Sequence, residues 1–217
     1  MKRGTGLEET RIVRPVAVAV EGRDYLYTLL RQIKEDPDLQ DVQLWDFKAS
    51  GSGNLGRWLE LFATLHGYRE TIRAIGVIQD AEDDAQNAFR SAVQALTYVG
   101  LAAPARPMEI TTSRPATGIL LIPHNRPSGC LEHAVIEARQ PQLPLRCAEQ
   151  YLDCVGASTR NENWKAKVKV HSLIAASDNP AWTLSESMAG GMWDFTHPSL
   201  RVMKDFVRLL AQASGAP

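Results

Sequence analysis

Little in this chain permits a disulfide framework, a zinc site or a membrane anchor. Its 217 residues hold three cysteines, Cys130, Cys147 and Cys154. An odd number with no C-x-x-C pair supports neither cross-linking nor thiolate coordination. The usual burial of free cysteine predicts inert thiols, with Cys147 and Cys154, seven apart, on one helix face. No apolar run approaches the roughly 18 residues of a spanning helix. Val16–Val20 is too short for a signal-peptide core, and Glu21, Arg23 and Asp24 follow it at once. The expected location is therefore cytoplasmic. A dominant charge is also missing: the formal net charge is -1 and the pI about 6.5. No global field draws the chain to nucleic acid or an anionic membrane, so any polyanion needs a local patch. Repeats and low-complexity segments are absent.

What is present is a succession of apolar runs that end on acid. Val16–Val20 runs into Glu21-Gly22, and Ile75–Gln79 into Asp80-Ala81-Glu82-Asp83-Asp84. Continuous apolar runs of this kind predict strands buried on both faces, as in a parallel sheet. Val42–Phe47 and Thr117–Pro123 supply two more strands. Helical stripes follow the first three: Tyr25–Ile33, Trp58–Leu65 and Ala85–Val99. Beyond Pro123 the pattern is helical over 131–138, 145–155, 164–176 and 200–211. Lys165–His171 alternates as a strand would, but no turn signal closes a hairpin there, and helix is the expectation. The fold class is α/β, with a largely parallel sheet of about four strands flanked by helices. Residues 1–13 read as a loose lead-in, 14–140 as the α/β core, and 141–217 as a helical C-terminal extension packed on it.

Ligand sites on parallel sheets form at the carboxyl ends of the strands. If the first and third strands are neighbours, the Glu21 and Asp80 carboxylates lie within about 8 Å, close enough to share a hydrated Mg²⁺. Crowded carboxylates repel unless a cation lies among them. Asp83 and Asp84 also suit the start of the helix that follows them. Glu132, behind Gly129-Cys130, can reach the same crevice. Gly51-Ser52-Gly53-Asn54-Leu55-Gly56 matches G-x-G-x-x-G, which leaves open a flexible turn, a phosphate-facing loop at Gly51 and Gly53, or a dinucleotide site with Asp80 near the ribose. Lys165, Lys167 and Lys169 form the densest basic stretch; they suit either phosphate contacts or a solvated helix face.

Val-Glu-Gly-Arg-Asp at 20–24 and Gly-Val-Ile-Gln-Asp-Ala-Glu-Asp-Asp at 76–84 resemble the Toprim domain, shared by topoisomerases, bacterial primases and overcoming-lysogenisation-defect nucleases. Adding Ile-Pro-His-Asn at 122–125, Gly-Cys-Leu-Glu at 129–132 and Trp-Asp-Phe-Thr-His-Pro at 193–198, the chain from about residue 14 to 210 resembles stand-alone Toprim-like bacterial and archaeal proteins of unknown function. The resemblance implies a Mg²⁺ (or Mn²⁺) site. Glu21 would be acid/base or ligand, and Asp80 and Glu82 would hold the ion with Asp84 and Glu132 nearby. Two departures stand out: Glu82 replaces an aspartate, and the glycine usual after the acidic pair is missing. The function expected is Mg²⁺-dependent phosphoryl transfer, as a nuclease on nucleic-acid phosphodiesters, with Lys169 facing transition-state charge. One alternative is a non-catalytic metal- or nucleotide-binding module serving a protein partner such as an ATPase. A dinucleotide-dependent oxidoreductase is the third.

Overall fold

A computed structural model describes residues 11–34, 36–48, 54–141 and 144–215. Every residue of β1 (Val16–Val20) is buried. Val16, Val18 and Val20 face one helical layer, while Ala17 and Ala19 face the other. That is the consequence of period-two alternation in a strand covered on both sides. β2 (Val42–Asp46), β3 (Ala74–Asp80) and β4 (Ala116–Ile122) complete a four-stranded sheet of order β2-β1-β3-β4. All three pairings are parallel.

The chain leaves β1 through α1 (Arg23–Ile33), which buries Tyr25, Leu26, Leu29 and Ile33 on the first face, and returns as β2. It then passes to the opposite face through α2 (Leu55–Phe62), followed by α3 (Tyr68–Thr71), and re-enters the sheet beyond β1 as β3. Trp45, Trp58 and Phe62 pack together on that second face, the last two stacked with ring centroids 4.6 Å apart. α4 (Ala85–Tyr98) shares this layer and leads to β4. The winding direction thus reverses between β1 and β3. That reversal opens a crevice at their carboxyl ends, where open α/β sheets bind ligands.

After β4 come α5 (Leu131–Glu137), α6 (Leu145–Cys154), α7 (Glu162–Ala175), α8 (Leu184–Gly190) and α9 (Pro198–Ala213). α9 completes the first layer. Gly76 and Gly118, partners across β3 and β4, form a flat spot for Phe206. A Cβ on Gly118 would stand 3.0 Å from the Phe206 ring, and one on Gly76 would stand 3.1 Å from it. Asp36, between α1 and β2, binds Lys204 and Arg208 of α9, each at 2.8 Å. The C-terminal helix therefore closes over the sheet itself.

The alternating segment Lys165–His171 is helical, within α7. Residues 1–10 of the expected lead-in lie outside the described residues. Ile12 is buried, with its amide donating to the His66 carbonyl at 2.9 Å. Burial of all three thiols does not hold: Cys130 is buried, but Cys147 and Cys154 are exposed on α6, because Ala148 and Leu152 occupy its inward face. Among the described residues no helix is long and apolar enough to cross a membrane.

Candidate metal centre

β1 ends at Val20, opposite Ile78, while β3 runs on to Asp80. The Glu21 amide still donates to the Ile78 carbonyl at 3.1 Å. The chain then turns away at Gly22, whose φ of 105° and ψ of 175° suit glycine alone and lead directly into α1. The Asp80 amide is left without a rung on that side. Glu21 Oε2 accepts from it at 2.8 Å, so the glutamate side chain takes the place of the missing strand.

The segment after β3 is clamped by the loop after β4. The Ala81 amide donates to the Ile122 carbonyl, the Gly129 amide to the Glu82 carbonyl at 2.7 Å, and the Ala85 amide to the Pro127 carbonyl. Glu82 is thereby held in the left-handed region at φ 55°. For a residue with a side chain this costs about 1–2 kcal/mol, and such positions cluster at functional sites. In this conformation Glu82 joins Glu21 and Asp80: one carboxylate oxygen from each lies within 4.8 Å of the others. The close approach expected of Glu21 and Asp80 is therefore met.

Asp80 is the inner member. Its Oδ1 accepts from the Tyr25 hydroxyl at 2.5 Å and from the Leu131 amide, the first of α5, at 2.8 Å. Burial pushes its pKa up to about 7; the Tyr25 hydrogen bond opposes the rise, and the charges of Glu21 and Glu132 add to it. The same surroundings raise Tyr25 well above the usual phenol value, by burial first and then by the Asp80 charge, so Tyr25 stays a neutral donor.

Lys48, two residues past β2, brings its Nζ to 2.8 Å from Glu21 Oε1. Partial burial works against this ammonium, yet the hydrogen bond and attraction to Glu21, with Asp80 and Glu82 beyond, carry its pKa up. Among the described residues Lys48 is the cation paired with this cluster of carboxylates. Sequence reasoning missed both Lys48 and Tyr25. Lys48 is an isolated lysine whose one signal is its place after a strand, and Tyr25 reads as part of an apolar helical stripe.

The other expected residues are placed differently. Glu132, in the first turn of α5, is near enough to raise Asp80, Asp24 and Cys130 by its charge, but it is not among the three converging carboxylates. Asp84 caps α4, accepting from the Gln86 and Asn87 amides and from the Asn87 side chain. On α7, Lys165 pairs with Glu162 at 2.8 Å and Lys169 with Glu149 at 3.4 Å, while Lys167 is exposed. Gly51 and Gly53 lie outside the described residues; the helix after them is capped by Asn54, which accepts from the Arg57 amide at 2.9 Å. Burial, then the Glu132 charge, drives the Cys130 thiol far up, and His133 Nδ1 accepts from the Cys130 amide at 3.2 Å while lying 3.4 Å from the Cys130 Sγ.

No curated protein and no solved structure matches the chain. A family match does extend over residues 16–212, from the first residue of β1 into α9, and the chain belongs to that family, described as proteins of unknown function (DUF3226).

Proposed function

We propose that Glu21, Asp80 and Glu82 hold one Mg²⁺, or Mn²⁺ in its place, and that the protein is a Toprim-like phosphoryl-transfer enzyme cleaving nucleic-acid phosphodiesters. The observation that carries this reading is the convergence of three carboxylates, from β1, β3 and the strained turn after β3, at the crevice where the sheet reverses. The donor set fits the ion. Mg²⁺ takes hard oxygen ligands, keeps several waters and needs few protein donors. Burial and, after it, the charges of Glu21 and Glu132 hold the Asp80 pKa up, and a bound cation would offset both.

What Mg²⁺ supplies in such a site is neutralisation of charge developing on a phosphoryl group. The chain's own residues orient and select. Tyr25 and the Leu131 amide both donate to Oδ1 of Asp80 and so fix the carboxylate's orientation. Both oxygens of Glu21 are engaged, one by the Asp80 amide and one by Lys48, which favours a ligand's role over that of a mobile base. Lys48 is half exposed and takes the part first assigned to Lys169: its ammonium, anchored by Glu21, is the cation placed to meet a substrate phosphate. The dinucleotide reading is weaker, because its glycines follow the edge strand β2 while the reversal lies between β1 and β3.

The pairing of Lys165 and Lys169 with acids of this chain favours one rival, a metal-binding module that depends on a partner for its nucleic acid. A single experiment separates the readings. Purified protein with Mn²⁺ is incubated with plasmid and with single-stranded nucleic acid, beside a Glu21→Gln variant whose fold is verified by circular dichroism. Slow cleavage by the wild type and none by the variant is the expected result. Cleavage undiminished in the variant assigns the activity to a contaminant. Metal binding with no cleavage of any substrate overturns the enzyme reading in favour of the module.

A further inference from the structure

α4 and the segment that carries the chain on to β4 leave a groove of about 520 Å³ between them. Phe89 and Val93 of α4 line it, with Pro104 and Pro107 across from them and Leu121 of β4 as the floor. Size and lining are those of a pocket for one small, largely apolar ligand. Phe89 and Val93 flank the stripe of Ala92 and Leu96 that α4 buries, and at 3.6 residues per turn the next ridge around the helix carries Gln86 and Arg90. These two form the polar rim. Among the described residues the Gln86 side chain has no hydrogen-bond partner. Arg90 is held in place: Asp84 Oδ2 accepts from the Asn87 side chain at 2.7 Å, and Asn87 Oδ1 accepts from Arg90 Nη1 at 3.0 Å. That engages one guanidinium nitrogen and leaves the other donors for a ligand.

The groove lies at the acidic tip of the sheet. Its floor, Leu121, pairs across the ladder with Gln79, and the next rung pairs Ile122 with Asp80. Asp80 turns toward Tyr25 of α1, whereas Leu121 packs in the layer of α4, so the carboxylates and the groove lie on the two sides of one tip. Between them stands the turn of residues 81–84, with Asp83 and Asp84 exposed. Their charge disfavours phosphate on the groove side and leaves it to a neutral group. Phosphate contacts are scarce in any case: the net charge is -1, and Lys165 and Lys169 are already paired within the chain. Stacking of bases on aromatic side chains is the other source of affinity for a nucleic-acid strand.

We propose that the groove takes an unpaired nucleobase of the strand whose phosphodiester lies at the metal centre. Phe89 stacks on the face of the base, and Gln86 and Arg90 bond its edge, as amide and guanidinium groups do with bases elsewhere. A base inside a duplex has both faces stacked and its pairing edge occupied. The groove therefore selects single-stranded nucleic acid. This assignment rests on the Mg²⁺ centre proposed above and adds the substrate class to it.

Fluorescence anisotropy of the full-length protein with Mn²⁺, read before cleavage accumulates, compares three labelled ligands of one length: a single strand, its duplex, and the same strand without bases. The single strand should bind roughly tenfold tighter than either of the others. Phe89→Leu keeps apolar volume and removes the stacking ring; it should weaken the single strand about tenfold and leave the base-free strand unchanged. Arg90→Gln, at an exposed position outside the core, should weaken the single strand severalfold with the fold intact. Calorimetric binding of Mn²⁺ should be the same in both variants as in the wild type. A duplex or base-free strand bound as tightly as the single strand overturns the groove's role, and so does a preference that both variants keep; unchanged Mn²⁺ binding then leaves the metal centre standing. A wild type that binds no Mn²⁺ overturns the metal centre and this assignment with it. Thymidine monophosphate bound as tightly as the strand overturns a strand substrate in favour of a free nucleotide.

Discussion

Replacing Asp80 by asparagine should make the metal-free protein more stable, although it removes a central residue of the site. Asp80 has its pKa raised from 3.8 to about 7 by burial and by the charges of Glu21 and Glu132. Between those values the folded state holds a proton that the unfolded state has released. Stability from this group is therefore complete below about pH 4, falls as pH rises, and is gone above about pH 7. Three units correspond to about 4 kcal/mol. Discounting for partial access of solvent to the carboxylate leaves about 2 kcal/mol, or a melting shift of roughly 4–8 °C for a domain of this size. Asparagine keeps an oxygen for the Tyr25 hydroxyl and the Leu131 amide while removing the charge. Urea denaturation in the presence of a chelator, near pH 8 and again near pH 4.5, measures the difference. The variant should be the more stable at the higher pH and indistinguishable at the lower. Mg²⁺ or Mn²⁺ should then stabilise the wild type and not the variant. A variant less stable than wild type near pH 8, or a difference that does not change with pH, would refute the reasoning.

Lys48→Gln removes the cation paired with Glu21; metal affinity should rise severalfold by calorimetry while cleavage is lost, because charge balance passes to the ion. Glu82→Gly relieves the left-handed residue at φ 55° and should stabilise the metal-free fold by about 1 kcal/mol, with metal affinity reduced at least tenfold. Gly118→Val sets a side chain against the Phe206 ring and should cost about 1–3 kcal/mol by chemical denaturation, lifting α9 from the sheet.

The strands were legible because burial on both faces writes a continuous apolar run, and the acid that ends such a run marks its carboxyl tip. Glu21 and Asp80 could be placed together from that alone, once β1 and β3 were taken as neighbours. The roles of Lys48 and Tyr25 were not legible, since they depend on facts no local pattern encodes. Lys48 reaches Glu21 because β2 lies beside β1, and Tyr25 reaches Asp80 because α1 crosses the strand ends. Asp84 resembled a ligand as much as a cap in sequence, and the helix it precedes takes its carboxylate. On α6 the usual burial of cysteine lost to the helix period, which spends its inward face on Ala148 and Leu152.

The proposed metal site and the fold draw on the same residues. Glu21 completes the hydrogen bonding of β3, and Asp80 binds the end of α5, so both serve the fold even without an ion. Glu82 does not: its side chain contributes to the cluster from a backbone conformation that disfavours any residue but glycine. A purely structural turn would be relieved by glycine at that position, as the chain is at Gly22 and Gly129. Glutamate there adds strain to the backbone and a further charge to a crevice that already raises Asp80. Under the proposed metal site a bound cation would offset both costs. The left-handed backbone at Glu82 therefore supports the proposed ligand role of that residue more strongly than the spacing of the acids does.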